Sequence, residues 1–166
     1  MANYDWSKFT KRIDIKTSVD SLYRLWTTEA GLERWFLRFA EFTTAEDSLR
    51  QPESHVVEGD TYRWFWFGWD DTTVEAGKVL KANGKDFFQF SCAKVCTVSV
   101  TLKTEEGQTI VELVQENIPV DEESKVNWHL GCSTGWTFYL ANLKSVLEGG
   151  VDLRNKNLSL KHMVNA

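Results

Sequence analysis

One long helical face closes the patterned part of this sequence, and it comes after an unbroken succession of strand-like segments. His129, Cys132, Trp136, Leu140, Leu143 and Leu147 recur at steps of 3, 4, 4, 3 and 4. That spacing marks one face of a helix. Asp121 or Ser124 offers an N-cap, and Gly149-Gly150 a stop. A lone helix with such a face has to bury it against a sheet, so the pattern predicts an α+β chain with a layer of strands wrapped on one long helix.

The strands are legible upstream. Apolar alternation or near-continuous apolar runs occupy Thr61–Phe67, Thr73–Lys81, Phe87–Cys92, Val95–Thr104 and Gln108–Asn117. Asn83-Gly84 and Glu106-Gly107 are hairpin turns. Links this short force antiparallel neighbours. Earlier still, Lys8–Lys16 reads as a strand. Thr17-Ser18 then caps a helix with apolar residues at 19, 22, 23 and 26, and Glu29–Phe36 repeats the spacing. Arg38–Thr44 fits another strand, and Ala45–Gly59 a polar loop. The expectation is a single domain over 1–166, with its core in 8–148 and a polar, partly mobile tail at 152–166.

Composition narrows the function classes. The 166 residues carry 19 basic and 24 acidic side chains, a formal charge of −5. An acidic chain without a basic run argues against nucleic acid as a partner. Eight Trp, ten Phe and four Tyr exclude a disordered chain. No apolar run is long enough to span a bilayer, and Met1–Arg12 lacks a secretory apolar region. With the odd set Cys92, Cys96 and Cys132, this points to reduced thiols and a cytoplasmic location. Cys92 and Cys96 have no second pair to complete a zinc site, so neither metal nor cofactor is expected.

The order of elements is similar to the helix-grip fold of the START/Bet v 1-like superfamily: a curved antiparallel sheet around a long C-terminal helix, with two short helices between the first two strands. The segment KRIDIKTSVDSLYRLWTTEAGLERWF resembles the opening of the family of Hsp90-ATPase-activator homologues, through Leu25-Trp26, Leu32 and Trp35-Phe36. Gly77-Lys78-Val79 matches that family's mid-sheet step, and Gly135-Trp136 with Leu140 and Leu143 its helix signature. The resemblance spans residues 8–148. It implies a fold shared by lipid carriers, hormone receptors, cyclases and co-chaperones, and it implies no catalytic residue. The Ala45–Gly59 loop and the DLRNKN tail at 152–157 depart from the family pattern; each could form a pocket lid or an oligomer contact.

Candidate binding residues follow from side-chain alternation. Tyr62, Trp64 and Trp66 share one face of their strand, and Phe65 and Phe67 the other. A strand aromatic on both faces fits core on one side with a subunit contact on the other, or a strand lining a ligand cavity. Phe88 and Phe90 face the interior. His129 and Cys132 stand beside Trp136, either as satisfied buried groups or as a polar spot in an apolar cavity. Glu75 shares the face of Gly77 and Val79, so it either reaches water at the strand end or lies buried with a raised pKa. Gln115 shares the face of Val111 and Leu113 and could offer an amide. The expected ligand site is therefore Trp64, Trp66, Glu75, Phe88, Phe90, Gln115, His129, Cys132 and Trp136. The leading expectation is a protein that binds a small hydrophobic molecule. A protein-binding module, as a homodimer or an Hsp90-type co-chaperone, comes second. A cyclase- or hydrolase-like enzyme using Glu75 or His129 comes third.

Overall fold

The structure, a computed structural model, describes residues 3–164. Seven strands form one antiparallel sheet: β1 (Phe9–Ile15), β2 (Phe39–Thr43), β3 (Thr61–Phe65), β4 (Glu75–Ala82), β5 (Phe87–Cys92), β6 (Cys96–Glu105) and β7 (Gln108–Glu116). Their order is β1-β7-β6-β5-β4-β3-β2. The first strand thus lies beside the last, with Phe9 opposite Gln115 and Ile15 opposite Thr109. Between β1 and β2 run α1 (Val19–Thr27) and α2 (Glu29–Trp35).

The two short helices are separated by one residue with two duties. Thr28 Oγ1 donates to the Arg24 carbonyl at 2.9 Å and accepts from Gly31 N at 3.0 Å, closing α1 and capping α2. Their apolar faces bury Leu22, Trp26, Leu32 and Trp35. Strand β4 bends the sheet. Its first half pairs with β3 and its second with β5, and the register slips between Val79 and Lys81. Such an irregularity increases local twist and curls the sheet.

The long helical run comprises α3 (Glu122–Ser124), a π-helical stretch over Lys125–Gly131 and α4 (Cys132–Leu147). Trp136, Tyr139, Leu140, Asn142 and Leu143 are its buried α4 residues. The sequence spacing predicts uninterrupted α-helix here. The π stretch, whose turns hold an extra residue, rotates the residues before Cys132 relative to those after it.

Two expectations are corrected. The strand expected over Thr61–Phe67 stops at Phe65, and Trp66 to Gly68 turn away from the sheet. The start of the tail is fixed. Arg154 is 6% exposed, and its guanidinium donates to the carbonyls of Glu33, Arg34 and Leu37 at 3.0, 3.0 and 2.9 Å. Asp152 binds the same guanidinium at 2.7 Å. Asn142 of α4 joins in, donating to the Trp35 carbonyl at 2.7 Å and accepting from Leu153 N at 2.7 Å. The tail therefore clamps the end of α2 to α4. The orphan carbonyls at that helix end supply the acceptors.

The loop at 45–59 is docked as well. Pro52 accepts from Ala30 N at 3.0 Å, and Val56 N donates to Thr27 at 2.8 Å. It lies along α1 and α2, and none of its residues lines the cavity described next.

Candidate functional site

A cavity of about 310 Å³ lies between the sheet and α4. That volume is at the small end of the range for ligand pockets. Its walls are aromatic. Phe36 follows α2, Trp64 and Trp66 come from β3 and the turn after it, Phe90 from β5, and Trp136 and Tyr139 from α4. These rings touch in sequence. Phe36 stacks on Trp136 with centroids 5.0 Å apart and meets Tyr139 edge-on at 4.9 Å. Trp64 meets Phe36 at 5.5 Å and Phe90 at 5.0 Å. Tyr62 backs Trp64 in a stacked pair at 4.0 Å. The buried Trp64 indole N–H has no acceptor among the described residues.

Gly135 leaves room on the helical wall, since a Cβ built there would meet nothing within 4 Å. Gly77 serves the opposite purpose. A Cβ there would lie 2.5 Å from the Tyr62 hydroxyl and 2.7 Å from the Ser91 carbonyl. Its bare backbone lets the Tyr62 hydroxyl cross β4 and donate to that carbonyl. This fixes the ring that supports Trp64.

The polar end gathers Glu75, Cys92, Gln115, Asn127 and Cys132. Gln115 is fully buried and spent on the protein itself. Its Nε2 donates to the Trp128 carbonyl at 3.3 Å, and its Oε1 accepts from Trp136 Nε1 at 3.2 Å. It orients Trp136 within the wall. Glu75 is half-buried, between the two alternatives the sequence left open. Its Oε1 accepts from Ala93 N at 2.7 Å, and among the described residues no cationic side chain pairs with it. Burial pushes its carboxyl up, against the pull of the Ala93 hydrogen bond.

Cys92 and Cys96 face each other across β5 and β6. The hydrogen bond to Cys96, then burial, push the Cys92 thiol well up. Burial pushes Cys132 up too. Protonated thiols are poor nucleophiles, so these line the wall as small polarizable groups. Among the described residues, no cluster of three or more His, Cys, Asp or Glu side chains could hold a metal ion.

Seven of the nine expected residues meet at this cavity: Trp64, Trp66, Glu75, Phe90, Gln115, Cys132 and Trp136. Phe88 and His129 do not line it. Phe88 is 1% exposed and packs beside Phe90 at 5.2 Å within the core. His129 lies in the π stretch and turns toward the N-terminus. Its Nδ1 is 2.9 Å from the Trp6 carbonyl, and its Nε2 is 2.8 Å from the Tyr4 hydroxyl. A carbonyl only accepts, so Nδ1 donates to Trp6, and with the Tyr4 contact the ring anchors the N-terminal arm. Phe36 and Tyr139 are the lining rings the sequence reading left out. Tyr139 follows Trp136 at helical spacing, a signal that was available. Phe36 belongs to a motif that also serves the fold, so nothing local marks its second role.

The second aromatic face is covered from within the chain. Phe39 packs on Phe65 at 5.7 Å, and the Arg38 and Arg63 guanidinium groups lie over Phe65 at 5.9 and 5.4 Å. Arg154 and Lys156 lie over Phe67 at 5.4 and 5.6 Å.

A curved antiparallel sheet closed on one long helix, with paired short helices after its first strand, places this protein in the helix-grip class of the START/Bet v 1-like superfamily. Within that class, the chain belongs to the family described as Activator of Hsp90 ATPase homolog 1-like protein, whose sequence model matches residues 16–148. Among curated proteins, none matches the sequence. Solved structures share the fold. Protein SSP2350 of Staphylococcus saprophyticus superposes with a TM-score of 0.68 at 14% identity, over 89% of this chain and 96% of its own. The Aha1 dimer of Colwellia psychrerythraea gives 0.64 at 24% identity, over 86% of this chain and 97% of its own. DynU16, from the dynemicin biosynthetic locus, gives 0.64 at 17%, over 90% of this chain and 50% of its own. At these identities the likeness is one of fold. Among the described residues, no helix is long and apolar enough to cross a membrane.

Proposed function

We propose that this protein binds a small, largely apolar molecule in the cavity between the sheet and α4. The observation that carries the reading is an unfilled space of about 310 Å³ walled by six aromatic rings. Apolar walls with a few polar groups at one end are the usual form of a ligand site. The Gly135 position supplies the test. Gly135→Leu places a side chain in open space and removes helix-interior glycine, which is worth about 1 kcal/mol in favour of the helix. The variant is expected to keep or gain thermal stability and to lose binding of apolar aromatic probes, read by calorimetry and by quenching of the cavity tryptophans. Gly135→Ala should fall between. Unchanged binding by a folded Gly135→Leu protein would place the ligand elsewhere.

A second reading is self-association, favoured by the Colwellia relative solved as a dimer. One route to it is closed off in this chain. On the outer edge of β2, Glu33 and Glu29 accept from Ala40 N and Phe42 N at 2.9 and 3.0 Å, and Arg50 N donates to the Phe42 carbonyl at 2.9 Å. An edge capped this way does not add a strand from a second copy. Sedimentation at micromolar concentration separates monomer from dimer.

A further inference from the structure

We propose that the molecule held in this cavity is an organic cation, an amine or quaternary ammonium on an apolar body. The inference rests on the cavity reading above and names the chemistry of its occupant. Glu75 is the only charged residue among those lining the cavity. Its carboxylate has a single protein donor, Ala93 N at 2.7 Å, and no ion-pair partner among the described residues. A half-buried carboxylate in an apolar setting is costly until a counter-charge arrives. A cation supplies that charge. It also meets aromatic faces, which attract cations through the negative potential of the ring.

No other lining residue carries a charge that could take this role. Gln115 has committed both amide atoms to Trp128 and Trp136. The titratable groups facing Glu75 are Tyr62 from β3, Cys92 and Cys96 from β5 and β6, and Cys132 from α4. Tyrosine and cysteine never carry positive charge, so none of them can neutralise the carboxylate. An anion would meet it as a like charge. A neutral ligand would leave it unpaired. The formal charge of −5 adds a long-range field that draws cations toward the protein.

Because burial pushes the Glu75 carboxyl up, a proton and an organic cation compete for the same group. Cation binding therefore falls as pH drops through the Glu75 titration, while binding of an uncharged analogue stays level.

The test uses the full chain and three probes of matched shape: naphthylmethylamine, naphthylmethanol and naphthoate. At neutral pH the amine is expected to bind about tenfold or more tighter than the alcohol, and the naphthoate weakest. Glu75→Gln keeps the acceptor for Ala93 N. It should bring the amine down to the affinity of the alcohol and leave the alcohol unchanged. In the unmodified protein, lowering the pH should weaken the amine alone, an arm that does not depend on the variant folding. An alcohol that binds as tightly as the amine, or an amine preference that survives Glu75→Gln, overturns the cation assignment and leaves the cavity reading standing. If none of the three probes binds, the cavity reading falls and the cation assignment with it.

Discussion

Two charged side chains show how far a residue's role departs from its type. Arg154 sits in a stretch whose composition says solvated tail, yet its guanidinium satisfies three carbonyls at the end of α2 and pairs with Asp152. Nothing in the sequence marks it, because its acceptors are backbone groups about 120 residues earlier. Removing one partner of a buried charge pair typically costs 3–5 kcal/mol. Arg154→Ala should therefore lower unfolding stability by about 3 kcal/mol in urea titrations. Burial alone would raise the Asp152 carboxyl, but the hydrogen bonds from Arg154 and Lys156 outweigh it and hold it well below the ordinary range. A depressed carboxyl contributes stability above its unfolded pKa and loses it as pH falls toward the folded one. Asp152→Asn should flatten that acid limb. Glu75 has the opposite sign. Its folded pKa is raised, so the empty protein gains stability as pH falls through it. Glu75→Gln should remove that slope and raise stability at neutral pH, measured by thermal unfolding across pH.

At the scale of elements, the strand and helix spacings carried the fold well, and the failures have identifiable causes. The helical face was legible from Trp136 onward. It misplaced His129 because the π stretch over Lys125–Gly131 is invisible to a rule built on α-helical period. Alternation put Glu75 on the face of Gly77 and Val79, and both Glu75 and Val79 do turn inward to some degree. The depth of Glu75 depends on the turn at Ala93 and Lys94, both at positive φ, which spacing does not report. At Gly77, β4 is in close contact with Tyr62 of β3. Gly77→Ala drives a methyl into the Tyr62 hydroxyl and the Ser91 carbonyl, so about 1–3 kcal/mol of destabilisation is expected, with a lower thermal midpoint. Trp64 should lose its rigid backing, seen as a shifted and broadened indole signal in NMR spectra.

For the whole molecule, the antiparallel sheet and its long C-terminal helix followed from element sequence alone, whereas the closing of β1 onto β7 and the covering of the outer aromatic face did not. Phe65 and Phe67 looked available for a partner, but Phe39 and arginines brought in from distant positions lie over them. The cavity also gives the three thiols different environments. Cys92 and Cys132 line it, while Cys96 is 1% exposed. Iodoacetamide is expected to label Cys92 and Cys132 slowly, as protonated thiols react, and Cys96 least. An occupied cavity should slow the first two further, with peptide mass mapping as the readout. Equal labelling with and without a bound probe would count against occupancy of this space.

The pairing of β1 with β7 carries a cost in time. Phe9 and its partner Gln115 are made 106 residues apart. At 5–20 residues per second, that interval is about 5–20 s. Throughout it the first strand has no partner, because β7 is its one neighbour in the sheet. The nascent chain therefore displays the apolar side chains of β1, Phe9 and Ile15 among them, both buried in the finished protein, until β7 is made. A circular permutant that joins β7 directly to β1 would remove that wait.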